Sequence, residues 1–130
     1  MAEPGGGPPP AVPDFRSADG RFRVELWVTE GPRMSHVIVQ ARLTDTRSGA
    51  VLLDLGAAAT WDWDCDPNAV SAEGPVVELA LRRYPAGGST ASCTVVVDAD
   101  RRTYALRDVV RPKRMAPLVE RLRLAGLSPA

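Results

Sequence analysis

The stretch Trp61-Asp-Trp-Asp-Cys-Asp-Pro-Asn68 concentrates side chains able to do chemistry. Asp62, Asp64 and Asp66 stand at every second position, and Glu73 is the twelfth residue counted from Asp62. Alternate carboxylates followed by a late glutamate are hard oxygen ligands at a spacing that can encircle a divalent cation. On a strand the same residues read differently. Trp61, Trp63 and Cys65 turn inward, and the three aspartates turn to water, where they call for arginine neighbours.

The twelve positions from Asp62 to Glu73 resemble an EF-hand loop, which implies calcium held by Asp62, Asp64, Asp66 and Glu73. The sixth position is Pro67, where such a loop needs glycine for a sharp turn, and the flanks alternate as strands do. The strand reading therefore leads. Metal binding, or a hydrolase built on His36 and the Asp62/Asp64/Asp66 cluster, is the alternative, and no cofactor is expected.

His36 is the only histidine. Its neighbour Ser35 would point to the opposite face of a strand, so the two are no dyad by themselves. One histidine and two cysteines 28 residues apart lack any paired zinc spacing. Gly87-Gly88-Ser89-Thr90 offers backbone N–H groups to an anion but lies between strands and opens no helix. It reads as a hairpin loop.

These residues need a frame, and the frame is extended chain. Phe22, Val24, Leu26 and Val28 alternate with Arg23, Glu25 and Trp27, the pattern of a half-buried strand. Val37, Val39, Ala41 and Leu43 repeat it, with His36, Ile38, Gln40 and Arg42 opposite. Asp45-Thr-Arg-Ser-Gly49 reads as a hairpin turn before Val51, Leu53 and Leu55. Val77, Leu79 and Leu81, then Cys93, Val95 and Val97, supply two more inward rows, and Tyr104 with Leu106 closes the ladder. Near the end the period changes. Met115, Leu118, Val119 and Leu122 form one helical face, over Pro117–Ala125 or about 115–125, stopped by Gly126. Leu118 and Leu122 should dock this helix on the sheet, leaving its arginines in solvent or facing an acidic body.

With 130 residues, 16 basic and 16 acidic side chains and 45% hydrophobic residues, the chain fits one domain with a real core. Zero net charge argues against a strongly basic nucleic-acid binder. The charge is nonetheless unevenly placed: residues 111–130 carry +4 and the remainder −4. No apolar run approaches a membrane span. Residues 1–14, rich in proline and glycine, read as a disordered arm with neither the basic start nor the apolar run of a secretory signal. That points to a reducing cytoplasm, with Cys65 and Cys93 as free thiols. Lys113 is the only lysine among the cations, a bias expected of GC-rich, bacterial coding.

Ser17-Ala-Asp-Gly-Arg-Phe resembles the strand starts of WD40-like (TolB-type) propeller blades. Leu43-Thr-Asp-Thr-Arg-Ser-Gly-Ala-Val-Leu is similar to the turn inside such a blade, and Ser92-Cys-Thr-Val-Val-Val-Asp echoes it. The resemblance implies antiparallel β-structure. A closed propeller takes roughly 160 residues or more, so this chain cannot close one. Arg33-Met-Ser-His36 also resembles a motif of small bacterial β proteins, which implies no activity.

The expected fold is mainly β, a single antiparallel open sheet or small β-sandwich over residues 15–126 with one C-terminal amphipathic helix. A second helix over 56–60 is the alternative. The expected function is a small cytoplasmic, non-enzymatic protein-binding module, inhibitor- or immunity-like. It would grip a basic protein partner through Trp27, Trp61, Asp62, Trp63, Asp64 and Asp66, with no nucleic acid and no membrane involved. On this reading Asp64→Lys would weaken partner capture and leave the melting temperature nearly unchanged.

Overall fold

The computed structural model describes residues 12–30, 37–56, 60, 62–83 and 90–130. They form two open sheets and one α-helix. The first sheet runs β1 (Phe15–Arg16), β2 (Phe22–Glu30), β3 (Val37–Asp45), β4 (Ala50–Asp54) in that spatial order. The second runs β5 (Trp63–Glu73), β6 (Val76–Arg83), β7 (Ala91–Asp98), β8 (Thr103–Val110), with β9 (Ser128–Pro129) added parallel to β8. All the other pairings are antiparallel neighbours in sequence, as short links dictate. The mainly β reading therefore holds, as does the single helix. Among the described residues no helix is long and apolar enough to cross a membrane.

The alternating rows do what their period requires. Phe22, Val24 and Leu26 of β2, Val77, Leu79 and Leu81 of β6, and Cys93, Val95 and Val97 of β7 are buried in one core shared by both sheets. Gly49 takes φ +75° and its N–H reaches the Asp45 carbonyl at 2.8 Å, closing the β3–β4 hairpin. The helix α1 (Ala116–Leu124) buries Leu118 and Leu122 completely against the core, as their spacing predicts. Gly126, at φ +87°, ends it, and the Leu127 N–H returns to the Leu122 carbonyl.

Three features depart from the simple alternation. Ile38 and Gln40, expected on the solvent side of β3, are buried. Gln40 accepts hydrogen bonds from Trp27 Nε1 and Thr29 Oγ1 and donates to the Leu55 carbonyl, so a polar layer covers that face. Residues 12–14, expected in the disordered arm, are tied to the fold: Val12 packs against the core, and Asp14 accepts two hydrogen bonds from Arg23. Residues 1–11 lie outside the described residues, as does most of the alternative second helix, residues 57–59. Finally, Arg21 is buried, and it joins the two sheets. It reaches Asp45 at the end of β3 and Asp100 in the β7–β8 turn.

Candidate functional site

The tryptophan–aspartate segment begins β5, and its residues part company there. Trp63 is fully buried in the core. That corrects its place among partner-binding residues: no second molecule reaches a ring with no accessible surface. Asp64 lies on the solvent-side parity of the strand, yet it too is buried. The cause is the short length of β4. Beyond the last β4 bond to Ala41, the Val39 N–H on the same edge of β3 has no strand to meet, and Asp64 Oδ1 accepts it at 2.7 Å. The other Asp64 oxygen accepts from Arg82, its cross-strand neighbour, at 3.3 Å. Asp64 is a structural bridge between the sheets, so Asp64→Lys would disturb the fold as well as any binding.

Asp62 turns to Arg83, which donates Nε at 2.9 Å and also reaches the Arg114 carbonyl. Asp66 stays exposed, because β5 bulges just after Cys65: four residues, Asp66 to Ala69, oppose Ala80 alone. Pro67 cannot donate to the ladder, and Asp66 instead caps the Asn68 N–H. Glu73 sits at the far end of β5 opposite Val76. The four acids are thus spent on separate tasks, and among the described residues no three potential ligands gather around one point. The EF-hand-like spacing does not bring Glu73 to the three aspartates. Trp27 is half-buried, with its N–H on Gln40 and the Arg42 guanidinium 5.6 Å over its ring. Trp61, His36, the Arg33–His36 motif and residues 87–89 lie outside the described residues.

What the segment does help build is a cleft of about 260 Å³ on the outer face of the second sheet. Every long strand of that sheet contributes: Asp66 and Asp64 from β5, Arg82 from β6, Ser92 and Thr94 from β7, Asp108 from β8. Two bulges make the concavity. One is the β5 bulge at Asp66. The other lies in β8, where the register with β7 slips between Ser92 and Thr94 and Asp108 adopts φ +54°. Bulges bend and twist their strands, and both bulges lie on the strands that flank β6 and β7. Asp108 is 82% exposed, and Asp66 pairs with no cation among the described residues.

Sequence reading missed Arg82, Ser92, Thr94 and Asp108. A signal existed for the last: the apolar row Tyr104, Leu106 resumes at Val109, a one-residue slip of phase that marks a bulge.

The cleft brings carboxylates, a guanidinium and two hydroxyls together. Cys93 lines it, but burial pushes that thiol up to about 11. Cys65 is pushed to about 12, first by burial and then by the nearby Asp64 and Asp66 charges. At neutral pH neither supplies a thiolate nucleophile. Native protein should therefore resist a thiol reagent that labels both residues once urea is added. The raised folded values also set a pH dependence. The unfolded thiols ionise near 9, so stability from the protonated native thiols is intact below that pH. It is lost as pH climbs from 9 towards 11 and 12. The slope is about 1.4 kcal/mol per pH unit for each thiol. Urea midpoints that stay flat across this window would refute the burial argument.

Comparison of the chain with protein-family models, with curated proteins and with solved structures gives no significant match.

Proposed function

We propose that this chain is a small, non-enzymatic protein-binding module of the cytoplasm, and that it takes a basic group of its partner in the cleft on the second sheet. One observation supports this most directly. Two bulged strands hold exposed carboxylates, Asp66 and Asp108, on the two flanks of one concavity. Among the described residues, the lining carries three acids against one cation, Arg82. An acidic hollow with hydroxyls from Ser92 and Thr94 on its floor suits an arginine or lysine side chain. Its charge would speed encounter and make affinity fall with salt. This reading keeps the expected basic partner but moves the contact surface away from the tryptophans.

The test is an NMR titration with an arginine-rich peptide and its glutamate-rich counterpart. The basic peptide should shift the amides of Asp66, Arg82, Ser92 and Asp108. The double variant Asp66→Lys, Asp108→Asn should weaken that binding about tenfold or more. Asparagine is chosen because, like aspartate, it tolerates the left-handed backbone at position 108. Equal shifts with the acidic peptide, or unchanged affinity in the double variant, would remove the cleft from consideration.

A further inference from the structure

A second charged surface follows directly after β8. Arg111 adopts a left-handed backbone, φ +62° and ψ +70°, and Pro112–Arg114 form a single 3-10 turn. Arg111, Pro112, Lys113 and Arg114 line a cavity of about 380 Å³. Arg111 and Lys113 are exposed, and Arg114 is half-buried.

Their grouping sets these cations apart: Arg16, Arg47, Arg102, Arg121 and Arg123 also pair with no carboxylate among the described residues, but among those residues only this turn carries three cations within four positions. Arg21, Arg23, Arg42, Arg82, Arg83 and Arg107 all pair with carboxylates. Arg111, Lys113 and Arg114 pair with none among the described residues. The internal segments outside the description, 31–36, 57–59, 61 and 84–89, contain no Asp or Glu, and the acids whose side chains are not described are Glu3 and Glu30. Three like charges within four residues repel one another, and a ligand of opposite sign relieves that repulsion.

The turn is also held in place. The Arg114 N–H bonds to the Arg111 carbonyl at 3.0 Å and the Met115 N–H to the Pro112 carbonyl at 3.1 Å. Arg83 ties the Arg114 carbonyl to β6 at 3.2 Å, and Met115 is buried in the core. Arginine in the left-handed region is disfavoured, and such strain persists where the surroundings fix it. A fixed turn carrying cations loses little order on binding an anion.

We propose that the Arg111–Arg114 turn is an anion site that binds a phosphate monoester on a protein partner, a phosphoserine or phosphothreonine segment. Three cations with no carboxylate partner among the described residues match a group bearing close to two negative charges better than they match one carboxylate, and guanidinium forks suit its oxygens. A nucleic-acid backbone fits less well. The cations sit on one turn and trace no track, and the described Phe, Trp and Tyr side chains are all buried or half-buried, which leaves no platform for stacked bases. This site is independent of the acidic cleft.

The experiment titrates full-length protein with a phosphoserine peptide, the same peptide unphosphorylated, inorganic phosphate, and a short DNA duplex, at one ionic strength. Saturable shifts at the Arg111, Lys113 and Arg114 amides are expected with the phosphopeptide, weaker ones with inorganic phosphate, and none with the plain peptide. Arg111→Gly should weaken binding about tenfold. Glycine accepts φ +62° without strain, so the melting temperature should stay within about 3 °C of wild type, and the lost affinity cannot be ascribed to unfolding. Lys113→Gln should weaken binding similarly. Equal response to both peptides, or wild-type affinity in Arg111→Gly, overturns the proposal. Tighter binding of the duplex than of the phosphopeptide overturns it in favour of a nucleic-acid backbone.

Discussion

Trp63→Ala is expected to lower the unfolding free energy by about 4 kcal/mol, the largest loss from any single side chain of the tryptophan–aspartate segment. The ring has no accessible surface and belongs to the core shared by both sheets. Its removal deletes a large apolar area and leaves a void that the sheets cannot close without sliding. A paired substitution sharpens the expectation. Trp63 Nε1 is buried without an acceptor among the described residues. Phenylalanine removes that unmet donor along with some volume, so Trp63→Phe should cost about 2 kcal/mol or less. Urea titrations read both. A loss under about 1 kcal/mol for the alanine variant would mean the ring lies outside the core.

The second large effect belongs to Asp64. Asp64→Ala should cost about 3 kcal/mol, because it leaves the Val39 N–H without its charged acceptor and removes the cross-strand partner of Arg82. Asp66→Ala, two residues on, should change stability by less than about 0.5 kcal/mol, since Asp66 stands in water on the bulge and caps only Asn68. Two aspartates of the same row thus differ because one meets an open strand edge and the other does not. Equal melting temperatures for the two variants would contradict the bridge between β3 and β5.

Much of the architecture was readable from alternation. The rows of β2, β6 and β7 have one answer to which face is buried, because polar and apolar residues separate cleanly along them. The helix was readable from Leu118 and Leu122, and its end from Gly126. Ile38 and Gln40 were not readable, because their burial comes from partners distant in sequence: Trp27, Thr29 and the Leu55 carbonyl. The Asp64 bridge was hidden for a related reason. It depends on where β4 stops relative to β3, a register that no local pattern encodes. The candidate cleft was partly legible, through Pro67 and the slipped row in β8. Four strands had to be laid side by side before Asp66 and Asp108 could flank one hollow. The basic turn was visible as charge, but its left-handed entry at Arg111 was not.

The buried guanidinium of Arg21 gains further meaning beside Asp64. Greasy surfaces attract without direction, so two stacked layers joined only by aliphatic side chains can shear over one another at little cost. Here one charged rivet fastens the layers where β3 meets the β7–β8 turn, and another fastens them at the opposite extremity, where β3 passes β5. With both ends bolted, the two sheets have little freedom to slide past one another, which holds the outer hollow in one shape.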